Sequence, residues 1–382
     1  MRTPLAESLA LVLAENIASD IDSPPHDKSL VDGYAVIAAD LASGSAEFEV
    51  IETITAGQVP TQPLSPGRAT QIMTGAPIPD RADAVVMVED SQEGEHGKVV
   101  IHREARRGQH IMRRGASIER GDVVLSAGVV IRAIEIGLLA EVGREQVEAI
   151  SRPRVAVVAT GDELTPLGET PSPGCIRNSN GPMLTAAVRS AGAEDIDLGI
   201  GRDRREDLTR AITQGLQSDV VLLSGGVSAG VADLVPSVLV DLGVEQLFHK
   251  VRLKPGKPLW FGVRRGEPTD TLVFGLPGNP VSSLVCFELF VRPALASMSG
   301  RAPGDATFRA AELASEFVHR GDRPTYHPTR LSVVDDRLIA TPLTWRGSAD
   351  LATMAAADAL IRFAPGERTY QEGEEVEVMP LG

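Results

Sequence analysis

The chain has 382 residues, a formal net charge of −15 at pH 7, and 43% hydrophobic and 23% charged residues. That length implies two to four domains of an ordinary globular protein, and that charge repels phosphate backbones and argues against a nucleic-acid partner. Two distant cysteines, Cys175 and Cys286, and seven histidines with no His-x-x-x-His pair exclude a disulfide framework, a structural zinc and a histidine-ligated metal. No apolar run approaches bilayer length, and Glu7 stands where a signal peptide needs apolar residues, so the expectation is a cytoplasmic protein with no membrane partner.

In chain order, Leu5, Leu9, Val12, Leu13 and Ile17 follow helical spacing, which predicts a helix stopped by Ser-Pro-Pro at 23–25. Asp32-Gly33 precedes a strand-like Tyr34-Ala35-Val36, and Asp-Gly is also a common hairpin-turn pair. From Phe48 to Leu125 the pattern is strands, with Thr74-Gly75 at the end of one of them. Arg103, Arg106, Arg107, Arg113 and Arg114 crowd the following segment and read most simply as a solvated face or as salt bridges. A helix is expected over 131–142, and Ser151-Arg-Pro-Arg marks a boundary.

The next module alternates β and α. Val155 to Gly161 is an apolar run ending in glycine, helices are expected over 182–191 and 204–216, and strands over 196–200 and 220–223. Such an order makes a parallel sheet with ligands at the carboxyl ends of its strands, where the Asp162-Glu163 loop and Ser224-Gly225-Gly226-Val227-Ser228 fall. The two glycines let backbone approach a ligand, and the helix that follows favours an anion. Asp203, with Glu206 three residues on, has the pattern of an N-cap with a reciprocal partner, and Asp233 also stands at a helix start. A few carboxylates beside ligand phosphates also suit magnesium. Lys254-Pro255-Gly256-Lys257-Pro258 is a stiff turn that holds two lysines toward one anion, and in Gly278-Asn279-Pro280 the asparagine is the expected N-cap of a buried apolar helix running to Met298. Beyond Ala306, short strands with polar turns predict a small barrel, and its Arg346-Gly347-Ser348-Ala349-Asp350 loop is either functional or a plain surface turn.

Taken together, Asp32-Gly33-Tyr34-Ala35-Val36, Ile72 to Pro77, Thr160-Gly161-Asp162-Glu163-Leu164, Ser224 to Ser228 with Asp233, Lys254 to Pro258 and Gly275 to Ser282 resemble the molybdopterin molybdenumtransferases. These are the molybdenum insertases that include bacterial MoeA and the E domain of gephyrin. The resemblance covers nearly the whole chain. It implies an α/β multidomain fold: a parallel three-layer α/β pterin-binding domain at 151–302, a β-rich module at 33–120, an extended N-terminal helical and linker part at 1–32 and 121–150 that dimerises, and a small C-terminal β-barrel at 303–382. It also implies an enzyme of molybdenum cofactor biosynthesis that converts adenylyl-molybdopterin and molybdate into molybdenum cofactor and AMP with Mg2+. The rival readings are a gephyrin-like scaffold and a molybdopterin adenylyltransferase.

The resemblance assigns catalysis to Asp32, Thr74, Glu163, Asp203 and Asp233, with Glu163, Asp203 and Asp233 on the metal. Substrate binding falls to Gly225, Gly226, Ser228, Lys254, Lys257, Pro277, Gly278, Asn279, Pro280, Ser282 and Ser348. It further implies a homodimer with Asp32 and Thr74 facing the partner's sheet domain, and other proteins of molybdenum cofactor biosynthesis as partners. The chain departs from the family at Lys28-Ser29-Leu30-Val31, at Ser117, and at Pro328, where Arg330 is the displaced candidate for a frequent arginine; the family's helix ahead of Leu5 has no counterpart.

Overall fold

The computed structural model describes residues 1–227, 234–267, 269–301 and 308–381. Contacts divide the chain into two units, residues 1–9 with 13–149 and residues 10–12 with 150–382.

The first unit is built on a six-stranded sheet. Its strands are β1 (Gly33–Val36), β2 (Ala46–Ile54), β3 (Arg68–Ile72), β4 (Ala84–Met87), β5 (Ser91–Glu93) and β6 (Lys98–Ile101), in the order β4-β1-β3-β2-β6-β5. Asp32-Gly33 is therefore no hairpin turn, because Gly33 opens a strand flanked on both sides: it pairs with Ile72 of β3 and with Met87 of β4. Short strands tie the ends of the unit together, Arg2–Pro4 with Gln146–Ile150, Ile17–Ala18 with Val123–Leu125, and Lys28–Ser29 with Ile111–Met112. Helix α1 (Ala133–Glu141) matches its expected span.

The helix expected from Leu5 to Ile17 does not form. A 3-10 turn covers Leu5–Glu7, Ala10 takes a φ of 65°, and Leu11, Val12 and Leu13 are buried one after another. Three consecutive buried residues need cover on both faces of the backbone, which a strand-like segment receives and an amphipathic helix does not. The crowded arginines take local partners: Arg103 pairs with Asp90, Arg107 with Asp83, Arg113 with Asp27 and Arg114 with Asp22.

The second unit opens with β7 (Arg154–Thr160), α2 (Asn180–Ser190), β8 (Glu194–Gly201), α3 (Arg205–Gly215) and β9 (Val220–Ser224). It continues through α4 (Val235–Asp241), β10 (Val244–His249), β11 (Trp260–Arg264) and β12 (Thr271–Leu276). The sheet order is β8-β7-β9-β12-β11-β10; the first four strands are parallel, β11 runs antiparallel to β12, and β10 at the edge runs antiparallel to β11. Alternation along β9 sends Val220 and Leu222 to one core with Leu184 and Val188 of α2, and Val221 and Leu223 to another with Leu208 and Ile212 of α3. Helices on both faces of the sheet make the three layers.

Pro280 to Met298 forms α5 (Pro280–Cys286), one π turn at Phe287–Val291 and α6 (Arg292–Met298). Contrary to the expectation of no such run, these 19 residues are long and apolar enough to cross a membrane, since their two charges are a Glu288–Arg292 pair at 2.5 Å. Half of the segment is buried, and Val281, Val285, Phe287, Val291 and Leu295 belong to the core shared with the sheet. The last strands, β13 (Arg309–Leu313), β14 (Thr325–Val334), β15 (Arg337–Pro342), β16 (Ala359–Phe363) and β17 (Glu375–Pro380), close a barrel in the order β13-β15-β14-β16-β17; the short helix α7 (Leu351–Ala355) lies between β15 and β16.

Candidate functional site

Strand β9 ends in Ser224, and Gly225 turns with a φ of 101°. A Cβ on Gly225 would lie 2.6 Å from the Thr160 carbonyl oxygen, so only glycine lets this turn close against the end of β7. The Gly225 N–H donates to the Leu276 carbonyl, which draws the end of β12 to the same place. Three strand ends thus deliver the Asp162-Glu163, Gly225-Gly226 and Pro277-Gly278-Asn279 loops to one edge.

A cavity of about 810 Å3 opens there, lined by Glu163, Lys254, Lys257, Pro277, Gly278, Asn279, Ser282 and Ser348. All eight were expected at the site. Arg323, Trp345 and Arg346 line it as well, so four cationic side chains meet in a chain whose net charge is −15. The lysine loop is seated on the barrel by its backbone: the Lys254 N–H donates to the Pro324 carbonyl at 2.9 Å, and the Tyr326 N–H donates to the Lys254 carbonyl at 2.8 Å. Behind the loop, burial pushes the Cys286 thiol up to about 12, which makes it an inert packing group.

Asn279 is the N-cap residue of α5, with Pro280 at the first helical position, but its side chain does not cap; Nδ2 donates to Ser348 Oγ at 2.8 Å. The Ser283 hydroxyl donates to the Pro277 carbonyl from behind. In the loop that carries Ser348, the Asp350 carboxylate accepts from the Thr353 hydroxyl at 2.7 Å and from the Arg346 N–H at 3.1 Å, and these bonds hold its pKa below the ordinary aspartate value. The polar loop at 346–350 is therefore a wall of the cavity and not a plain surface turn. Pro280 lines a second cavity of about 310 Å3 that shares Glu163, Gly278 and Asn279 with the first. Gly225 and Gly226 line neither.

Asp203 is not a helix cap. Arg204 occupies the N-cap position of α3 and no side chain caps that helix, because Asp203 is turned toward the neighbouring loop. There the Asp162 N–H donates to Asp203 Oδ2 at 3.3 Å, and the Asp203 N–H donates to Asp162 Oδ1 at 3.2 Å. Arg202 Nη1 fixes the same loop through the carbonyls of Asp162 at 3.2 Å and Leu164 at 2.9 Å. Asp203, Asp162 and Glu163 present hard oxygen donors of the kind Mg2+ takes beside phosphates, while the described residues contain no closed cluster of three ligands. Ser228 and Asp233 lie outside the described residues.

In the first unit, Asp32 and Thr74 meet. The Thr74 N–H and hydroxyl both donate to Asp32 Oδ1, at 2.6 and 2.7 Å, and they hold the carboxyl below its ordinary pKa. A depressed carboxyl contributes stability above its unfolded pKa and loses it as pH falls through the folded value. Thr74→Val removes the hydroxyl bond and keeps the N–H bond, so Asp32 should titrate at a higher pH than in the parent. Carbon-13 NMR of the carboxyl carbon reads this directly, and an unmoved titration would show that the hydroxyl does not set it.

Arg330, the displaced candidate, is exposed on β14 and lines neither cavity; Arg323, just ahead of that strand, takes the cavity position, and Pro328 is buried in the strand. Sequence reasoning also missed Arg202 and Asn180. Asn180 Nδ2 donates to Ser224 Oγ and to the Gly278 carbonyl, each at 2.7 Å. The polar run Asn178-Ser179-Asn180 at the head of a helix was the available signal.

Known proteins resemble the chain along its length. Residues 1–143 match the family model "MoeA N-terminal region (domain I and II)", residues 156–297 the "Probable molybdopterin binding domain", and residues 310–381 the "MoeA C-terminal region (domain IV)". The molybdopterin molybdenumtransferase of Bacillus subtilis is 35% identical over 98% of this chain and 88% of its own length, and that of Staphylococcus aureus 33% identical over 98% and 90%. Two structures of a MoeA molybdopterin biosynthesis protein from Pyrococcus horikoshii cover 100% of this chain and 94% of theirs, with TM-scores of 0.83 and 0.79 at 34% and 30% identity. The cationic cavity thus sits in a chain that belongs to the molybdopterin molybdenumtransferase family, enzymes of molybdenum cofactor biosynthesis.

Proposed function

We propose that the chain joins molybdate to adenylylated molybdopterin, releasing AMP, in the cytoplasm. The observation that carries the reading is the cavity in which Lys254, Lys257, Arg323 and Arg346 converge beside Glu163, Ser282 and Ser348. Its cations suit the phosphates of the adenylylated pterin, and charge placed before the substrate arrives needs no reorganisation as the phosphoanhydride breaks. Hydroxyl and cationic groups at Ser282, Ser348 and Arg323 suit molybdate, an oxyanion that the net charge of the protein would otherwise repel. Bound Mg2+ would neutralise charge on the phosphoanhydride. Glu163 and Asp203 are its proposed ligands, with Asp233 from the sequence reading.

Purified protein given adenylylated molybdopterin, molybdate and Mg2+ should release AMP and retain molybdenum with the pterin. Binding of the adenylylated pterin without AMP release would leave a scaffold, and consumption of ATP with free molybdopterin would indicate an adenylyltransferase. Because Asp203 caps no helix and asparagine preserves its acceptor for the Asp162 N–H, Asp203→Asn should keep its Tm within roughly a degree or two, as a change well below about 1 kcal/mol allows. The same variant should lose at least tenfold in magnesium-dependent AMP release. Full activity would remove Asp203 from the metal.

We also propose a homodimer in which Asp32 and Thr74 of one subunit serve the lysine-lined cavity of the other, as the family resemblance implies; contacts with other proteins of molybdenum cofactor biosynthesis belong to the same reading. Asp32→Asn and Glu163→Gln homodimers should then both be inactive, while mixed dimers recover one of two sites. No recovery in verified mixed dimers would place the site within one chain.

A further inference from the structure

Arg202 is half-buried between Gly201, the last residue of β8, and Asp203, and its side chain meets the loop that carries Asp162 and Glu163. Among the described residues it forms no ion pair with any of these three acids, and they form none with another cation. Its Nη1 goes to backbone instead, donating to the carbonyls of Leu164 at 2.9 Å, Asp162 at 3.2 Å and Gly161 at 3.4 Å. The remaining carbonyl of that loop, on Glu163, accepts from the Ile176 N–H at 2.8 Å. The Gly161 N–H donates to the Gly201 carbonyl at 3.1 Å, and the Asp162 N–H to Asp203 Oδ2 at 3.3 Å. Four successive carbonyls are thus held from two sides, three of them by one nitrogen, which leaves the loop backbone little freedom.

The loop so held has a defined place for one side chain. Gly161 has a φ of 146°, and a Cβ on it would lie 2.3 Å from Glu163 Oε2 and 2.7 Å from Oε1. The Glu163 carboxylate therefore occupies the space that the glycine leaves open. It remains exposed there and lines both cavities. Three carboxylates on one short stretch repel one another, and a guanidinium on the carbonyl side offsets that repulsion without engaging their oxygens. A salt bridge would instead occupy the oxygens that a hard cation takes.

We infer that Arg202 is a positioning residue: by gathering the carbonyls of residues 161, 162 and 164 it sets the loop that holds the Glu163 carboxylate over Gly161, ready for a divalent cation. This rests on the proposed function, in which Glu163 and Asp203 hold Mg2+. Groups that orient metal-binding carboxylates are worth about ten- to a hundredfold in metal affinity.

The test uses the full chain with saturating AMP to supply a phosphate, Mn2+ as the probe cation read by electron paramagnetic resonance, and metal-free pyrophosphate as the reference for the lysine loop. Arg202→Gln should bind Mn2+ at least tenfold more weakly and pyrophosphate within twofold of the unaltered protein. Arg202→Lys should return Mn2+ affinity to within threefold, because the three bonds start from one nitrogen and an ammonium carries three hydrogens. Gly161→Ala, which leaves Arg202 alone and displaces the Glu163 carboxylate, should also cost at least tenfold, and it decides the matter if Arg202→Gln does not fold. Unchanged Mn2+ affinity in either folded variant overturns the inference. So does a lysine variant no better than glutamine, or an equal loss of Mn2+ and pyrophosphate, since Arg202 would then only brace the sheet edge. If the unaltered protein binds Mn2+ and the variants match it, only this inference fails; if the unaltered protein binds no Mn2+, the metal of the proposed function fails with it.

Discussion

Replacing both lysines of the 254–258 loop by alanine should weaken binding of adenylylated molybdopterin on the order of a hundred- to ten-thousandfold. Each lysine removed is a charge-assisted hydrogen bond of about 1.5–3 kcal/mol, and about 1.4 kcal/mol is a factor of ten in affinity. The loop should keep its place in the variant, because its backbone bonds to Pro324 and Tyr326 hold it and the lysine side chains do not. Titration calorimetry at fixed ionic strength measures the loss, and the Tm checks the fold. Unchanged affinity with an unchanged Tm would remove the loop from the phosphate site.

The largest effect on stability is expected at Gly33→Ala. An added Cβ would lie 1.9 Å from the Val86 carbonyl oxygen and 2.8 Å from its carbonyl carbon. Neither side can give way, since β1 is held between β3 and β4 by ladder bonds on both edges. Ordinary overpacking of a core costs about 1–3 kcal/mol, and a clash with backbone inside a sheet belongs at or beyond the top of that range. The first unit should therefore melt far below its normal temperature or fail to fold, and Asp32 would lose its register with Thr74. Denaturant melts of the variant decide it: a loss under about 1 kcal/mol would be the behaviour of a loose hairpin turn and would contradict the packing of β1.

How much of this was legible in the sequence depended on what kind of signal each residue sends. Val220 to Leu223 form a short apolar run, β-branched at its start and stopped by Ser224-Gly225-Gly226, which suits a strand buried between two layers, and the strand formed as expected. The spacing of Leu5, Leu9, Val12, Leu13 and Ile17 satisfies a helix in the abstract, but nothing local announces that Ala10 turns left-handed or that 11–13 will be covered on both sides. Asp203 had the local grammar of a cap, and a partner 41 residues away, Asp162, drew it elsewhere. Lys254 and Lys257 were legible because two prolines and a glycine mark the turn, whereas Arg323 and Asn180 act through bonds to Leu253, Ser224 and Gly278 that no window of sequence contains.

The attachment of the lysine loop to the barrel also orders events during synthesis. Lys254 is made before Pro324 and Tyr326, so the sheet strands through Leu276 are synthesised while the strand that seats the lysine loop is still to come. Domains fold as units from the N-terminus onward. The sheet and the barrel belong to one unit and share one core, with Tyr326, Leu360 and Met379 in the same cluster as Val155, Val220 and Phe274, so a nascent chain short of residue 324 lacks both that cover and the bonds that seat the lysine loop. A chain cut short by proteolysis or a premature stop ahead of residue 324 stays in that state. The seating of the lysine loop thus requires the chain through the start of the barrel.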